Sequence, residues 1–295
     1  MKNYIESFCK EFGFPDEAKE ALLNCYDAVR ANPEAFSLFQ EPVELYFGGQ
    51  LTDYTRALGM MDKAAELAGV HRFTVHMLFY VCLSKHTRVL YLKRGIPYSV
   101  YFDSMSDLKW KLFECKKVEN IWGTASGWWA PRFFDLTRFA LGRLQFETAL
   151  AEMTYAKNGY TVNPDDTVLN IHIPSSGPLY HEECLASYRM AAEFYKDTFK
   201  DKPIVFKCSS WLLYPAHYEF LPKNSNILKF MDDFDIVSSY VDEKKGFLWR
   251  IFHTLNCDDL DALPCETSLQ RAYIDWLKKG NPVGVGIGFF IYNQK

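Results

Sequence analysis

The chain has 295 residues, 48% of them hydrophobic and 24% charged, about twice the usual domain size. That composition excludes wholesale disorder, collagen-like chains and long coiled coils. Lys and Arg number 33 against 37 Asp and Glu, a net charge of −4, and neither half is basic, so no nucleic-acid partner is expected.

The first 120 or so residues read as helix. Between Asp16 and Ala31, apolar residues recur at Ala18, Ala21, Leu22, Cys25, Tyr26 and Val29, the three-four spacing of one helix face. Pro33 suits the start of a second helix, and Gly48-Gly49 its end. Thr52 to Ala68 predicts a third, with Gly69 just past it. Thr74 to Leu92 is apolar on nearly every side and predicts a buried central helix. Pro97 opens another, to about Lys117. The pattern changes near Gly123, which divides the chain into a helical domain, 1–122, and a second domain, 123–295. Phe133 to Leu141 reads as a short helix. Arg143–Glu147, Val168–Ile173, Ile204–Leu213, Asp235–Val241, Gly246–Phe252 and Val283–Tyr292 read as strands. Glu182–Phe199, Ile227–Asp233 and Glu266–Lys279 read as helices. The expected class is α+β.

Other classes fall away on simple grounds. The N-terminus lacks the apolar core of a secretory signal, and Phe73 to Leu83 is too short to span a bilayer, so a cytoplasmic protein with no membrane partner is expected. The eight cysteines form no C-x-x-C pair and no zinc spacing with histidine, so no metal is expected. Aromatic residues make up 17% of the chain, which suits a large core or an aromatic-lined acyl cavity.

Three stretches carry candidate chemistry. In the first, the strand Val168–Ile173 runs into Pro174-Ser175-Ser176-Gly177-Pro178, with a helix to follow. Helix-start amides and dipole can hold a phosphate there, or the loop is only a well-capped helix start. Second, alternation puts Asn170 and His172 on one strand face, and Gln145 and Glu147 on one face of another. If the faces meet, Glu147 and His172 form a base and its partner; otherwise they mark an exposed sheet face. Third, Lys207-Cys208-Ser209-Ser210 leads into Tyr214, His217, Tyr218 and Glu219. Cys208 or Ser209 would serve a hydrolase, without a G-x-S-x-G elbow to support it. Gly284, Gly286 and Gly288 lie within a strand, which argues for close backbone packing rather than a dinucleotide site.

Taken together, Leu141-Gly142-Arg143-Leu144-Gln145-Phe146-Glu147, Ile171 to Leu179, Ser210-Trp211-Leu212-Leu213, Leu221 to Ile227 and Trp249-Arg250-Ile251-Phe252 resemble the bacterial two-domain acyltransferase-like family. Its members carry a helical N-acyltransferase N-terminal domain and a C-terminal domain similar to the GCN5-related N-acetyltransferases (GNAT). The resemblance implies a mixed, mostly antiparallel sheet flanked by helices. It implies acetyl-CoA or another acyl-CoA as co-substrate and a small-molecule amine as acceptor. Ser175, Ser176 and Gly177 would bind the cofactor's pyrophosphate, with the helix beginning at Pro178. The thioester would lie between Val168–Ile173 and Ile204–Leu213. Glu147 or His172 would take the amine proton, and Tyr214 or Tyr218 would protonate the departing thiolate. The loop departs from the family's Q/R-x-x-G-x-G/A pattern, since it has one glycine and Pro178 lacks an amide hydrogen. That departure motivates an alternative: a non-catalytic ligand- or protein-binding protein that retains the GNAT-like shape.

Overall fold

The computed structural model describes residues 1–200 and 202–292. They form two compact units, one from Met1 to Phe139 and one from Ala140 onward. The first holds α1 (Lys2–Phe12), α2 (Asp16–Ala31), α3 (Pro33–Phe47), α4 (Tyr54–Ala68), α5 (Arg72–Lys93), α6 (Tyr98–Glu119) and the single turn α7 (Pro131–Phe134). Local chemistry sets these bounds. Asn32 accepts hydrogen bonds from the N–H groups of Glu34 and Ala35, and Pro33 opens α3. Gly69 ends α4 in the left-handed conformation at φ +66°.

Helix α5 is the core of this unit. Thr74 through Ser84 are all buried, and α1, α2, α3, α4 and α6 all pack on it. A helix that is apolar all round thus has partners all round. Its tyrosines carry polar tips to specific carbonyls: Tyr80 donates to Gly127 at 2.7 Å and Tyr91 to Phe133 at 3.3 Å. The Thr124 N–H donates to the Phe73 carbonyl at 2.9 Å. These bonds lay the segment 124–134 along α5. A Cβ on Gly123 would stand 2.4 Å from the Phe73 carbonyl carbon, so only glycine permits the approach. The change of pattern at Gly123 therefore lies inside the first compact unit, which continues to Phe139.

From Arg138 the elements are β1 (Arg138–Leu141), β2 (Leu144–Leu150), β3 (Tyr155–Lys157), β4 (Tyr160–Val162), β5 (Thr167–His172), α8 (His181–Phe194), α9 (Lys196–Phe199) and β6 (Val205–Ser210). Then come α10 (His217–Phe220), α11 (Asn226–Met231), β7 (Asp235–Val241), α12 (Trp249–Phe252), α13 (Ser268–Lys278) and β8 (Gly284–Ile291). Six strands form one sheet in the order β1-β2-β5-β6-β8-β7, and β3 and β4 form a hairpin. The β5–β6 pair is parallel; β2–β5, β6–β8 and β7–β8 are antiparallel. The chain is α+β: an all-helical first part, then a mixed, mostly antiparallel sheet flanked by helices.

Three spans differ from the sequence reading. Phe133–Leu141 is not one helix. The chain turns at Leu136, φ +56°, and emerges as β1, buried along its length. Gly246–Phe252 is a turn and α12 rather than a strand. Phe247, Leu248, Ile251 and Phe252 follow helical spacing and pack with Tyr273, Ile274 and Leu277 of α13 in one cluster. The β3–β4 hairpin, unassigned from sequence, turns on Asn158 and Gly159 at φ +53° and +79°, the positive pair a two-residue hairpin needs.

Alternation gives the sheet two unlike faces. Leu144, Phe146, Leu169, Ile171, Phe206 and Phe290 share one, and α8 covers it through Tyr188, whose ring lies 5.4 Å from Phe206 and 5.0 Å from Phe290. The glycines of β8 continue that face. A Cβ on Gly286 would stand 2.0 Å from the Leu213 carbonyl oxygen, so close backbone packing is their role. At the sheet's margin, β7 is largely exposed and its register on β8 shifts between Ile236 and Ser238, a β-bulge.

Candidate active site

The second face gathers Gln145, Glu147, Asn170, His172 and Lys207 in one polar cluster, beside an apolar cluster in which Val168, Val205 and Phe289 pack with Tyr155 and Val162 of the β3–β4 hairpin. The β2–β5 register sets Gln145 opposite His172 and Glu147 opposite Asn170. The diagonal neighbours Glu147 and His172 meet, with Oε1 2.6 Å from Nε2. The Asn170 amide nitrogen lies 3.1 Å from the same Nε2. A ring nitrogen has one bonding direction in its plane, so Nε2 either donates to the carboxylate or accepts from the amide. The 2.6 Å contact is the shorter, and we assign the Nε2 proton to it. Glu147 is the deeper member, its side chain 8% exposed against 20% for His172. The imidazole is therefore the group that meets solvent or substrate, with the carboxylate behind it.

Lys207 lies opposite Asn170 on β6, 5% exposed, with Nζ 3.0 Å from Oε2 of Glu152. That pairing marks the point where two strands part. The parallel register of β5 and β6 covers only Leu169 with Phe206 and Asn170 with Lys207. On its other side β6 stays paired with β8 out to Ser210. β5 thus leaves β6 at its C-terminal end and runs into the 173–180 loop.

In that loop Gly177 stands at φ +114°, a conformation L side chains rarely adopt, and a Cβ there would meet nothing. Helix α8 begins at His181 with Tyr180 as N-cap and no side-chain cap bond, not at Pro178 as expected; Ser175 and Ser176 therefore do not cap it. The loop is held instead by Arg143, a residue to which the sequence reading gave no role. Its guanidinium donates to three carbonyls: Nη1 to Pro174 at 3.0 Å, Nη2 to Gly177 at 2.9 Å and Nε to Pro178 at 3.1 Å. Burial pulls the Arg143 pKa below its ordinary value, yet guanidinium keeps its proton at neutral pH.

The remaining candidates lie elsewhere. The Tyr214 ring packs over Gly284 on the apolar face. The half-exposed Tyr218 donates its hydroxyl to Asp232 at 2.7 Å; burial, with Asp232 beside it, pushes the phenol up to about 12. Neither is brought into hydrogen-bond contact with Glu147 or His172. His217 is a core residue, fully buried, with Nε2 2.5 Å from the Tyr273 hydroxyl; burial pulls it down to about 4, so it is neutral. Cys208 is fully buried and its thiol is pushed up to about 12, which removes it as a nucleophile. Among the described residues no cluster of three or more His, Cys, Asp or Glu is placed to hold a metal ion. No described helix is long and apolar enough to cross a membrane.

A mixed, mostly antiparallel sheet whose parallel strands part beside a loop and helix is the arrangement of the acetyltransferase-like class. Residues 138–290 match the GNAT-like C-terminal domain, and residues 3–136 match the N-acyltransferase N-terminal domain. The chain belongs to this two-domain acyltransferase family. Three solved structures are similar. An acyltransferase in complex with decanoyl-CoA and teicoplanin has TM-score 0.74 at 21% identity, over 98% of this chain and 87% of that one. A mutant acyltransferase with octanoyl-CoA has TM-score 0.77 at 21% identity, over the same shares, 98% and 87%. An acyltransferase with CoA and 10C-teicoplanin has TM-score 0.65 at 22% identity, over 98% and 99%. At such identities the likeness shows the fold. No curated protein matches the sequence.

Proposed function

We propose that the chain transfers an acyl group from acyl-CoA to an amine by direct attack. The observation that carries this reading is the parting of β5 and β6 beyond Asn170 and Lys207, next to the Glu147–His172 pair. The residues fit a thioester donor: the parted edges leave room, and the loop of Ser175, Ser176 and Gly177 follows directly. The similar structures that hold decanoyl-CoA, octanoyl-CoA and CoA support the same donor class.

In this reading the donor supplies an acyl carbon already activated for attack. His172 accepts the amine proton, and Glu147 balances the imidazolium through Nε2–H. Backbone N–H groups on the strand edges beyond Asn170 hold the thioester oxygen as it gains charge. The 175–177 loop holds the diphosphate. Tyr214 and Tyr218 lie away from the Glu147–His172 pair, so the departing CoA thiolate takes its proton from solvent. The acceptor is an amine of a small molecule, and the chain acts in the cytoplasm.

A second reading, a non-catalytic binder of the same shape, is favoured by Pro178, which removes one loop amide. Thermal unfolding with acetyl-, octanoyl- and decanoyl-CoA separates the two. A ligand at 100 times its dissociation constant adds about 2.7 kcal/mol, and each kcal/mol moves the midpoint by roughly 2–4 °C. A rise, followed by acyl transfer to an amine panel, is expected. No rise with any CoA species moves the assignment to the binder.

A further inference from the structure

The 174–178 loop takes its shape from a residue 31 positions before it. Arg143 follows Gly142, which makes the β1–β2 turn at φ +73°. The next residue, Leu144, donates its N–H to Ser187 Oγ of α8 at 3.3 Å, so the backbone beneath Arg143 is tied to the helix that the loop enters. From that anchor the guanidinium spans the loop, with one bond to each of Pro174, Gly177 and Pro178. Its rigid fork suits this better than an ammonium, which is a point charge on a flexible stem.

The planar peptide turns this clamp into a statement about the opposite side. Among the described residues no peptide bond is cis, so each C=O and its N–H point in opposite directions. With the Pro174 and Pro178 carbonyls aimed at Arg143, the N–H groups of Ser175 and Leu179 aim away from it. The Gly177 carbonyl also aims inward, and its peptide is the one whose N–H Pro178 removes. Pro178 thus subtracts an amide from only one of three clamped peptides. Among the described residues no carboxylate forms an ion pair with Arg143, while Glu183 in the first turn of α8 lies near enough to favour its charged form.

We propose that Arg143 is the positioning residue of the diphosphate loop: it turns the Ser175 and Leu179 amides toward the acyl-CoA diphosphate and places a cation behind them. This rests on the acyl-transfer reading above. Arg143 touches the loop's carbonyls, not the reacting atoms, so it acts on donor affinity rather than on chemistry.

The test uses the full chain with Arg143→Gln and Arg143→Lys. The measurements are KM and kcat for octanoyl-CoA, the same for octanoyl-pantetheine, which lacks the diphosphate, and amide hydrogen exchange across 174–180. Arg143→Gln is expected to raise the KM for octanoyl-CoA on the order of tenfold or more, as loss of a positioning contact does, with kcat little changed. Octanoyl-pantetheine kinetics should not move, loop exchange should quicken, and exchange in α13 should stay as it was. Arg143→Lys keeps the charge without the fork and should fall between the two. Unchanged KM with unchanged loop exchange overturns the proposal, as does an equal loss with octanoyl-pantetheine. A wild-type chain that binds no CoA overturns the acyl-transfer reading and with it the diphosphate assigned to the loop. Loop exchange in Arg143→Gln then separately shows whether Arg143 shapes the loop.

Discussion

The two faces of the second unit's sheet are built from the same strands and differ most at the corner where β2, β5 and β6 meet. On one side Phe146, Phe206 and Phe290 are sealed by Tyr188 of α8. On the other, Glu147, His172 and Lys207 sit at the same strand positions displaced by one residue. A one-residue step decides which of the two faces a side chain joins. The apolar face is redundant in composition and strict in volume. The second face is strict in atom placement where Glu147 and His172 meet, and beside them it keeps an apolar cluster of its own around Phe289.

The largest effect should come from the apolar face. Phe206→Ala removes a fully buried ring that meets Phe146, Tyr188 and Phe290. A loss of about 3–5 kcal/mol is expected in urea or guanidinium unfolding. Glu147→Gln should behave oppositely, lowering turnover by about a hundredfold or more while the unfolding midpoint moves far less than for Phe206→Ala. A polar-face variant that unfolds like Phe206→Ala would erase the distinction.

The histidines sharpen it further, because His217 belongs to the core and His172 to the polar face. The folded value of His217, about 4, lies below the ordinary 6.5 because burial disfavours its charge. As pH falls the unfolded chain takes the proton first. Stability is full above about pH 6.5 and declines between 6.5 and 4, by about 3 kcal/mol over the window. His217→Gln should flatten that part of the pH–stability curve, read from unfolding midpoints. The smallest effect is at the loop: Gly177→Ala forces a non-glycine residue to φ +114°. It should cost about 1–3 kcal/mol of strain and weaken CoA binding, measured by calorimetry, without touching the sheet.

Much of this was legible in the sequence, and the reasons are local. α2 and α3 are bounded by their own caps and prolines, so spacing and punctuation locate them. Glu147 and His172 were legible because period-two alternation alone predicts a shared face. Arg143 was not, because its partners lie 31 to 35 residues away and its value comes from carbonyl directions, which no residue type announces. The residue pattern starts α8 at Glu182, one residue from His181, whereas the resemblance starts it at Pro178, where the clamp on the Pro174, Gly177 and Pro178 carbonyls occupies the stretch instead. Gly246–Phe252 misled because five large apolar side chains in seven residues satisfy either period until α13 is there to choose.

The bulge between Ile236 and Ser238 has a consequence for life at high concentration. β7 leaves one side of its backbone without a neighbouring strand in the sheet, with Val237, Tyr240 and Val241 at 40%, 54% and 49% exposure. Such a strand is a template on which a second copy could stack and start a fibre. The shifted register breaks the even repeat of N–H and C=O groups that stacking requires, and Asp235, ion-paired with Lys157 at 2.7 Å, adds charge at one end. The irregularity works as a guard against self-assembly.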